Sequence, residues 1–446
     1  MDRLLITSAL LLFSVAAVGA EPLKLSIKDA IQMALKNNNQ IKAAGFSSQA
    51  ASQGVQSANS RYLPAVAFEE TFAASNSPTN TFMMKLDEGR FTQNDFQISN
   101  LNNPSAVHDF KTALSVQMPL FVPSLSPLKE LAVRDFRKSE LHLEATRQGI
   151  AFQVFQTYLD VQKSAAWLSA ADKALVDANE NMRLATVRTS SGLGLKSDEL
   201  RSRTHLAVVE QQLITARNNL TLAQMRLAQL IGLSEDETCD VSGVLESIAV
   251  PDISGQITNE ALLNRVEMKQ SHTDIEKSEA NLRLAQSDYL PTVGAFASYQ
   301  LNAKDAPFTS DNDAWSAGVS LKWHLFDGFR TDSERQRALS GRSAAREHLE
   351  ATTKEIRYQL KESYIRRTEA AKHLEVAGNV VQDATETVRL LTKRYANSLA
   401  TMVELLDGQT ALNQARATLV ENQAGYALAG GRIYYMTGTF VKEILK

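Results

Sequence analysis

The 446 residues are 44% hydrophobic and 22% charged, unremarkable for a soluble protein and enough for two or three ordinary domains. A net charge of −3, with Lys and Arg interspersed among acids, excludes a basic nucleic-acid-binding surface. The single cysteine, Cys239, excludes an intrachain disulfide, and no cysteine follows the leader to accept a lipid.

The chain opens with Arg3, an apolar run over residues 4–18 and the small-residue site Val18-Gly19-Ala20, so residues 1–20 read as a secretory signal peptide with Glu21 as the first mature residue. A helix is expected over 26–60. Val66, Phe68 and Phe72 then alternate with polar or small residues, predicting a strand over 62–74, with Glu70 an exception on its apolar face. A second strand, 109–121, sets Phe110, Leu114, Val116, Met118 and Leu120 against Lys111, Ser115 and Gln117.

Beyond it there is no proline from Leu128 to Val250, which leaves room for very long helices. Ile150, Val154, Tyr158, Val161, Ala165 and Leu168 form one stripe, predicting a helix over 127–192 that rises roughly 100 Å at 1.5 Å per residue. After a turn, Leu206, Val209, Leu213, Ala216, Leu220, Ala223, Leu227 and Leu230 step by three and four, a coiled-coil seam on a returning helix over 195–232.

The second half, 251–446, repeats the first, 21–250. His142-Leu143-Glu144-Ala145-Thr146 recurs as His348-Leu349-Glu350-Ala351-Thr352, and the same offset of 206 pairs Tyr158 with Tyr364, Arg183 with Arg389, Leu193 with Leu399 and Gly232 with Gly438. Tyr62-Leu63-Pro64 matches Tyr289-Leu290-Pro291 at an offset of 227, so the difference in length is an insertion at residues 76–108, read as a loop at the outer end of the strands. Helices are accordingly expected over 257–288, 330–397 and 400–437, and strands over 289–302 and 313–326, with Tyr299, Trp315 and Trp323 on the apolar face.

Each strand is long enough to cross a bilayer when tilted, although a soluble half-buried hairpin would show the same alternation. Four strands cannot close a barrel, and in lipid each unpaired edge group costs several kcal/mol, so membrane strands have to be completed by further copies. Two copies would give eight strands and a filled interior; three would give twelve and a lumen.

Leu25-Ser26-Ile27-Lys28-Asp29-Ala30 with Ala34-Leu35-Lys36-Asn37-Asn38, the duplicated Tyr-Leu-Pro, Leu325-Phe326-Asp327-Gly328, and the run from Glu404 to Leu412 together resemble the TolC-type outer membrane factors over essentially the whole mature chain. The resemblance implies a fold that is mainly α with a membrane β-barrel. It implies a homotrimer whose twelve-stranded barrel sits in outer membrane lipid and continues as a twelve-helix periplasmic α-barrel. Such a trimer is the passive exit duct of a tripartite efflux pump, met by a periplasmic adaptor protein and through it an inner-membrane pump; a type I secretion system is the alternative use. The non-transport alternative is a periplasmic coiled-coil scaffold.

Function is expected at the two helix turns. The adaptor would contact Gly192 and Leu193 in the first and Ser398 and Leu399 in the second. Glu404 and Asp407 lie three apart on one helix face, which an ordinary solvated helix start would also show. The resemblance implies that both line the closed entrance, and that Asp198 and Tyr395 help hold the inner and outer coiled coils together; Ser398, where relatives often have glycine, and Ala400 depart from the pattern. Gly192-x-Gly194-x-Lys196-Ser197 is a poor phosphate loop, lacking a glycine directly before Lys196 and a strand upstream. No enzyme, cofactor or metal is expected. The seven histidines are scattered, and Cys239 among Glu235, Asp236, Glu237 and Asp240 is a poor nucleophile.

Overall fold

The structure, a computed structural model, describes residues 23–234, 239–242, 250 and 254–446. The expected signal peptide, 1–20, and the acids at 235–237 lie outside them. The first half runs β1 (Leu23–Leu25), α1 (Ile27–Asn37), α2 (Asn39–Ser60), β2 (Ala65–Ser75), α3 (Pro78–Asp87), a 3-10 turn (Gln93–Phe96), α4 (Ile98–Asn102), β3 (Val107–Phe121), α5 (Leu125–Ser190) and α6 (Lys196–Ile231). After β4 (Cys239–Val241) come α7 (Gly255–Asn264), α8 (Val266–Ser287), β5 (Thr292–Ala303), β6 (Asn312–Lys322), α9 (Arg330–Ala396), α10 (Met402–Met436) and α11 (Phe440–Ile444). The insertion, expected as a loop, thus contains helices.

The single helices expected over 26–60 and 257–288 are each broken, at Asn38 and at Arg265. Asn38 supplies its own reason. Its Oδ1 accepts from Gln40 N at 2.8 Å, capping α2, while its Nδ2 donates to Leu230 O at 2.9 Å. Arg265 lies 227 residues on, and the 22-residue helices α2 and α8 begin one residue after each break. The left-handed glycines that end the returning helices also recur, Gly232 at φ 77° and Gly438 at φ 72°.

The described chain divides into two compact units. In the one made of residues 43–144 and 265–355, β2-β3-β5-β6 form an antiparallel sheet whose edge strands are β2 and β6. Register carries the apolar alternation from strand to strand: Phe68 faces Leu114, Leu114 faces Tyr299, and Tyr299 faces Trp315. A neighbouring row is Val66, Val116, Ala297 and Ala317. This face is bare, with Trp315 76% and Phe68 62% exposed. Glu70, the polar exception, accepts from Thr112 Oγ1 directly across the ladder at 2.5 Å.

β6 is shorter than expected because its ladder ends where Lys322 pairs with Thr292; the residue before Thr292 is Pro291, which has no N–H to give. Trp323, Leu325 and Phe326 therefore lie beyond the strand, and Trp323 Nε1 donates to Tyr289 O at 3.1 Å. Below the sheet, Arg134–Glu276 (3.1 Å), Lys138–Asp274 (2.7 Å) and Arg283–Glu130 (2.6 Å) tie α5 to α8.

The other unit holds residues 23–42, 145–264 and 356–446. Its core takes Ile150, Val154, Tyr158 and Val161 from the α5 stripe and Val209, Leu213, Leu227 and Leu230 from the α6 seam. β1 pairs in parallel with β4, and Tyr158 Oη lies 2.6 Å from Ser242 O and 3.1 Å from Leu25 O. Burial pushes the Cys239 thiol up, with Asp240 adding to it, the opposite of what a nucleophile needs.

Candidate functional site

Both turns of the helical unit are built on the same backbone device. α5 ends with Leu193 N donating to Arg188 O at 2.9 Å around Gly192, at φ 75°. α9 ends with Leu399 N donating to Arg394 O at 2.8 Å around Ser398, at φ 60°. Gly192 and Ser398 are equivalent under the offset of 206, so a left-handed residue is required at both, and only the first is a glycine. Gly194 is needed for a different reason: a Cβ there would meet Arg188 and Thr189 backbone at 3.0 Å.

Arg188 joins the turns. Its Nη1 donates to Ala396 O at 3.0 Å and its Nη2 to Ser398 Oγ at 2.6 Å, while its guanidinium lies 5.0 Å from the centre of the Tyr395 ring. Sequence reasoning missed it because an arginine on a long helix reads as part of a solvated face. The available signal was the repeat itself, since Arg188 is equivalent to Arg394, which donates to Leu399 O within its own turn at 3.1 Å.

The structure brings Asp198 near Tyr395 but does not bond them. Tyr395 is 4% exposed and packs with Ala185, Met402 and Leu405; its hydroxyl has no hydrogen-bond partner among the described residues. Burial raises the Tyr395 phenol, and the charge of Asp198 adds to the rise.

Glu404 is held elsewhere than the entrance reading alone would suggest. It closes a capping box, its Oε2 accepting from Thr401 N at 2.6 Å and from Thr401 Oγ1 at 2.9 Å, while Thr401 Oγ1 accepts from Glu404 N at 3.2 Å. These bonds hold the Glu404 carboxyl below the usual carboxylate range. Asp198 occupies the equivalent position at the start of α6, but there the cap is Leu195, which cannot accept, so Asp198 is left free of that role. Asp407 is exposed, without a hydrogen bond or ion pair among the described residues. Leu193 and Leu399 are both exposed at the tips of their turns.

Deeper along the helices, Gln409 Nε2 donates to Asp177 Oδ2 at 3.0 Å and Arg416 reaches the same oxygen at 3.4 Å, fixing α10 against α5. Gly408 admits a close approach, since a Cβ there would meet Leu391 Cδ1 at 2.7 Å. Among the described residues no cluster of three His, Cys, Asp or Glu could hold a metal ion, and no helix is long and apolar enough to cross a membrane.

The open-edged sheet with one bare apolar face, together with two helices of 66 and 67 residues that each turn back into a shorter one, defines a class of protein. The chain belongs to the outer membrane efflux protein family, whose sequence profile matches residues 30–233 and 257–439. It is accordingly an outer membrane protein with a periplasmic extension, a channel rather than an enzyme. No curated protein sequence matches it. Many solved structures share the fold, and three of them are representative. The Campylobacter jejuni CmeC outer membrane channel is 16% identical with a TM-score of 0.76, the match covering 93% of this chain and 86% of that one. The open state of the Neisseria gonorrhoeae MtrE outer membrane channel is 16% identical at 0.76, covering 94% and 90%. The Vibrio cholerae outer membrane protein VceC is 18% identical at 0.72, covering 92% and 96%.

Proposed function

We propose that three copies join their sheets, edge β2 to edge β6, into a twelve-stranded barrel continued by a twelve-helix periplasmic α-barrel, and that this homotrimer is the passive exit duct of a tripartite efflux pump. The observation that carries the reading is the sheet. A largely bare apolar face is unfavourable in water, and two unpaired edges are incomplete in lipid, where each unpaired backbone group costs several kcal/mol. Closure with other copies removes every edge, and three four-stranded contributions leave a lumen. The duplicated halves, 21–250 and 251–446, each supply two strands and one pair of tip helices.

At the far end of the duct, the turns carrying Gly192, Leu193, Ser398 and Leu399 are the contact for a periplasmic adaptor, which links the duct to an inner-membrane pump. Asp198, Tyr395, Glu404 and Asp407 form the periplasmic gate together with Arg188. Exposed Asp407 supplies the uncompensated charge of the entrance, and Glu404 adds to it when the capping box opens. Docking on the turns would separate them by breaking the Arg188 bonds.

Detergent-purified protein should run as a trimer by native mass spectrometry and give cation-preferring single channels in planar bilayers. Replacing Glu404 and Asp407 by alanine should reduce the cation preference. A monomer that washes off membranes with carbonate would sink the reading in favour of a periplasmic scaffold.

A further inference from the structure

The insertion between β2 and β3 is a folded body, whereas the equivalent connection between β5 and β6 is the short segment 304–311. Phe82, Phe91 and Phe96 pack edge to face, with ring centres 4.5 Å apart for Phe82–Phe91 and 5.1 Å for Phe91–Phe96. Lys85 Nζ reaches Asp95 Oδ1 at 2.6 Å, and Asp95 Oδ2 also accepts from Thr92 N and Oγ1. These partners hold the Asp95 carboxyl at about 2. Glu88 is buried against Arg90.

Its attachment points lie on opposite edges of the sheet. At one end Thr81 Oγ1 donates to the carbonyl of Ser75, the last residue of edge strand β2. At the other, Gly89 sits against Asn312, the first residue of edge strand β6, so that a Cβ on Gly89 would stand 3.4 Å from the Asn312 side chain. Four strands are about 14 Å across at ~4.8 Å spacing, and the ten residues of α3 rise about 15 Å. The helix therefore matches the width of the sheet it spans.

It also lies on a definite side. Val107 and Asp109 project from the face opposite Phe110 and Leu114, and Asn302, whose Nδ2 donates to Asp109 Oδ2 at 2.7 Å, shares it. All three are buried, at 5%, 6% and 2% exposure, whereas Ser316 farther down the same face of β6 is exposed. In the barrel reading the apolar face meets lipid, so the covered face is the lumen side.

We infer that residues 76–106 are a lid folded over the lumen at the outer end of the strands, so that three lids give the duct an outer constriction separate from the periplasmic tip. This rests on the barrel reading. The exposed Met83, Phe96 and Ile98 give the narrowed mouth an apolar rim, a surface that resists wetting and ion passage more than it resists apolar solutes.

Thiol accessibility on intact cells tests the lid independently of the tip. Ser316→Cys places a thiol on the lumen face about 13 Å below the strand end, and Asp305→Cys places one on the short β5–β6 loop; native Cys239 is buried. With the lid present, a small impermeant maleimide should label Ser316→Cys and a bulky polyethylene-glycol maleimide should label it roughly tenfold less. Replacing residues 77–105 by a short Gly/Ser turn should abolish that difference, and Lys85→Ala with Asp95→Ala, which leaves the connection intact, should reduce it. Equal labelling by both reagents in the native-length chain overturns the lid, provided Asp305→Cys is labelled. Failure of Asp305→Cys to react at all with either reagent on intact cells rejects the barrel orientation instead.

Discussion

The two tip turns have the same backbone and opposite local chemistry. In the first, Gly192 takes the left-handed conformation without cost, Leu195 offers the next helix no cap, and Asp198 is free to act on Tyr395. In the second, Ser398 takes that conformation at a cost of about 1 kcal/mol, and Thr401 binds Glu404 into a cap. The difference teaches that one inherited acid position serves two purposes, selected by whether the residue three earlier can accept a hydrogen bond. It also gives Ser398 a function a glycine could not perform, because its hydroxyl accepts from Arg188.

The largest test of this contrast is Arg188→Ala. Arg188 reaches across to the second turn and Arg394 does not, so Arg188→Ala should loosen both turns and Arg394→Ala only the second. Partly exposed charged bonds of this kind contribute about 1–2 kcal/mol together, which amide exchange over residues 189–200 and 394–402 would resolve. Equal loosening of the first turn by both variants breaks the proposed asymmetry.

A smaller effect separates the left-handed positions. Gly192→Ala should cost about 1 kcal/mol. Ser398→Gly should be nearly neutral in the native chain, because relief of strain offsets the lost Arg188 bond, yet stabilising by about 1 kcal/mol once Arg188 is alanine. A double-mutant cycle by thermal denaturation measures this, and strict additivity would mean that the Arg188–Ser398 bond contributes nothing.

Tyr395→Phe should shift stability by less than about 1 kcal/mol, since the hydroxyl it removes has no partner. A larger loss would place a partner for that hydroxyl on a neighbouring copy. Smallest is the pH response of the second turn. Glu404 has a lowered folded pKa, so its contribution is present above the ordinary carboxylate value and fades as pH falls through the lowered one. Exchange at the Leu405 amide, corrected for its intrinsic pH dependence, should quicken on that acid side, and Glu404→Gln, which keeps the acceptor but not the charge, should flatten the response.

Much of this architecture is legible in the residues. Period-two alternation in Val66, Phe68 and Phe72, the proline-free stretches and the two repeat offsets are local signals, and they lead to the strands, the long helices and the turns. The capping box was legible too, as Thr401-x-x-Glu404, though an acid near an expected pore draws attention first to its charge. What the residues do not announce is long-range. Asn38 breaks its helix by reaching Leu230, 192 positions away, and Arg188 matters because residue 398 lies beside it. The proposed outer lid is hidden for the same reason: nothing local says that Gly89, just past the helix after Ser75, sits against Asn312.

The free edges of β2 and β6 also bear on inheritance. The proposed ring of three chains would be only as sound as its worst member, because an edge that cannot pair leaves the whole circumference open. Co-expressing a chain whose β6 has been interrupted with proline would, at equal dosage and random mixing, leave about one ring in eight free of the defect. On that proposal such an allele would be dominant, and most rings would be defective while half the chains were still made correctly.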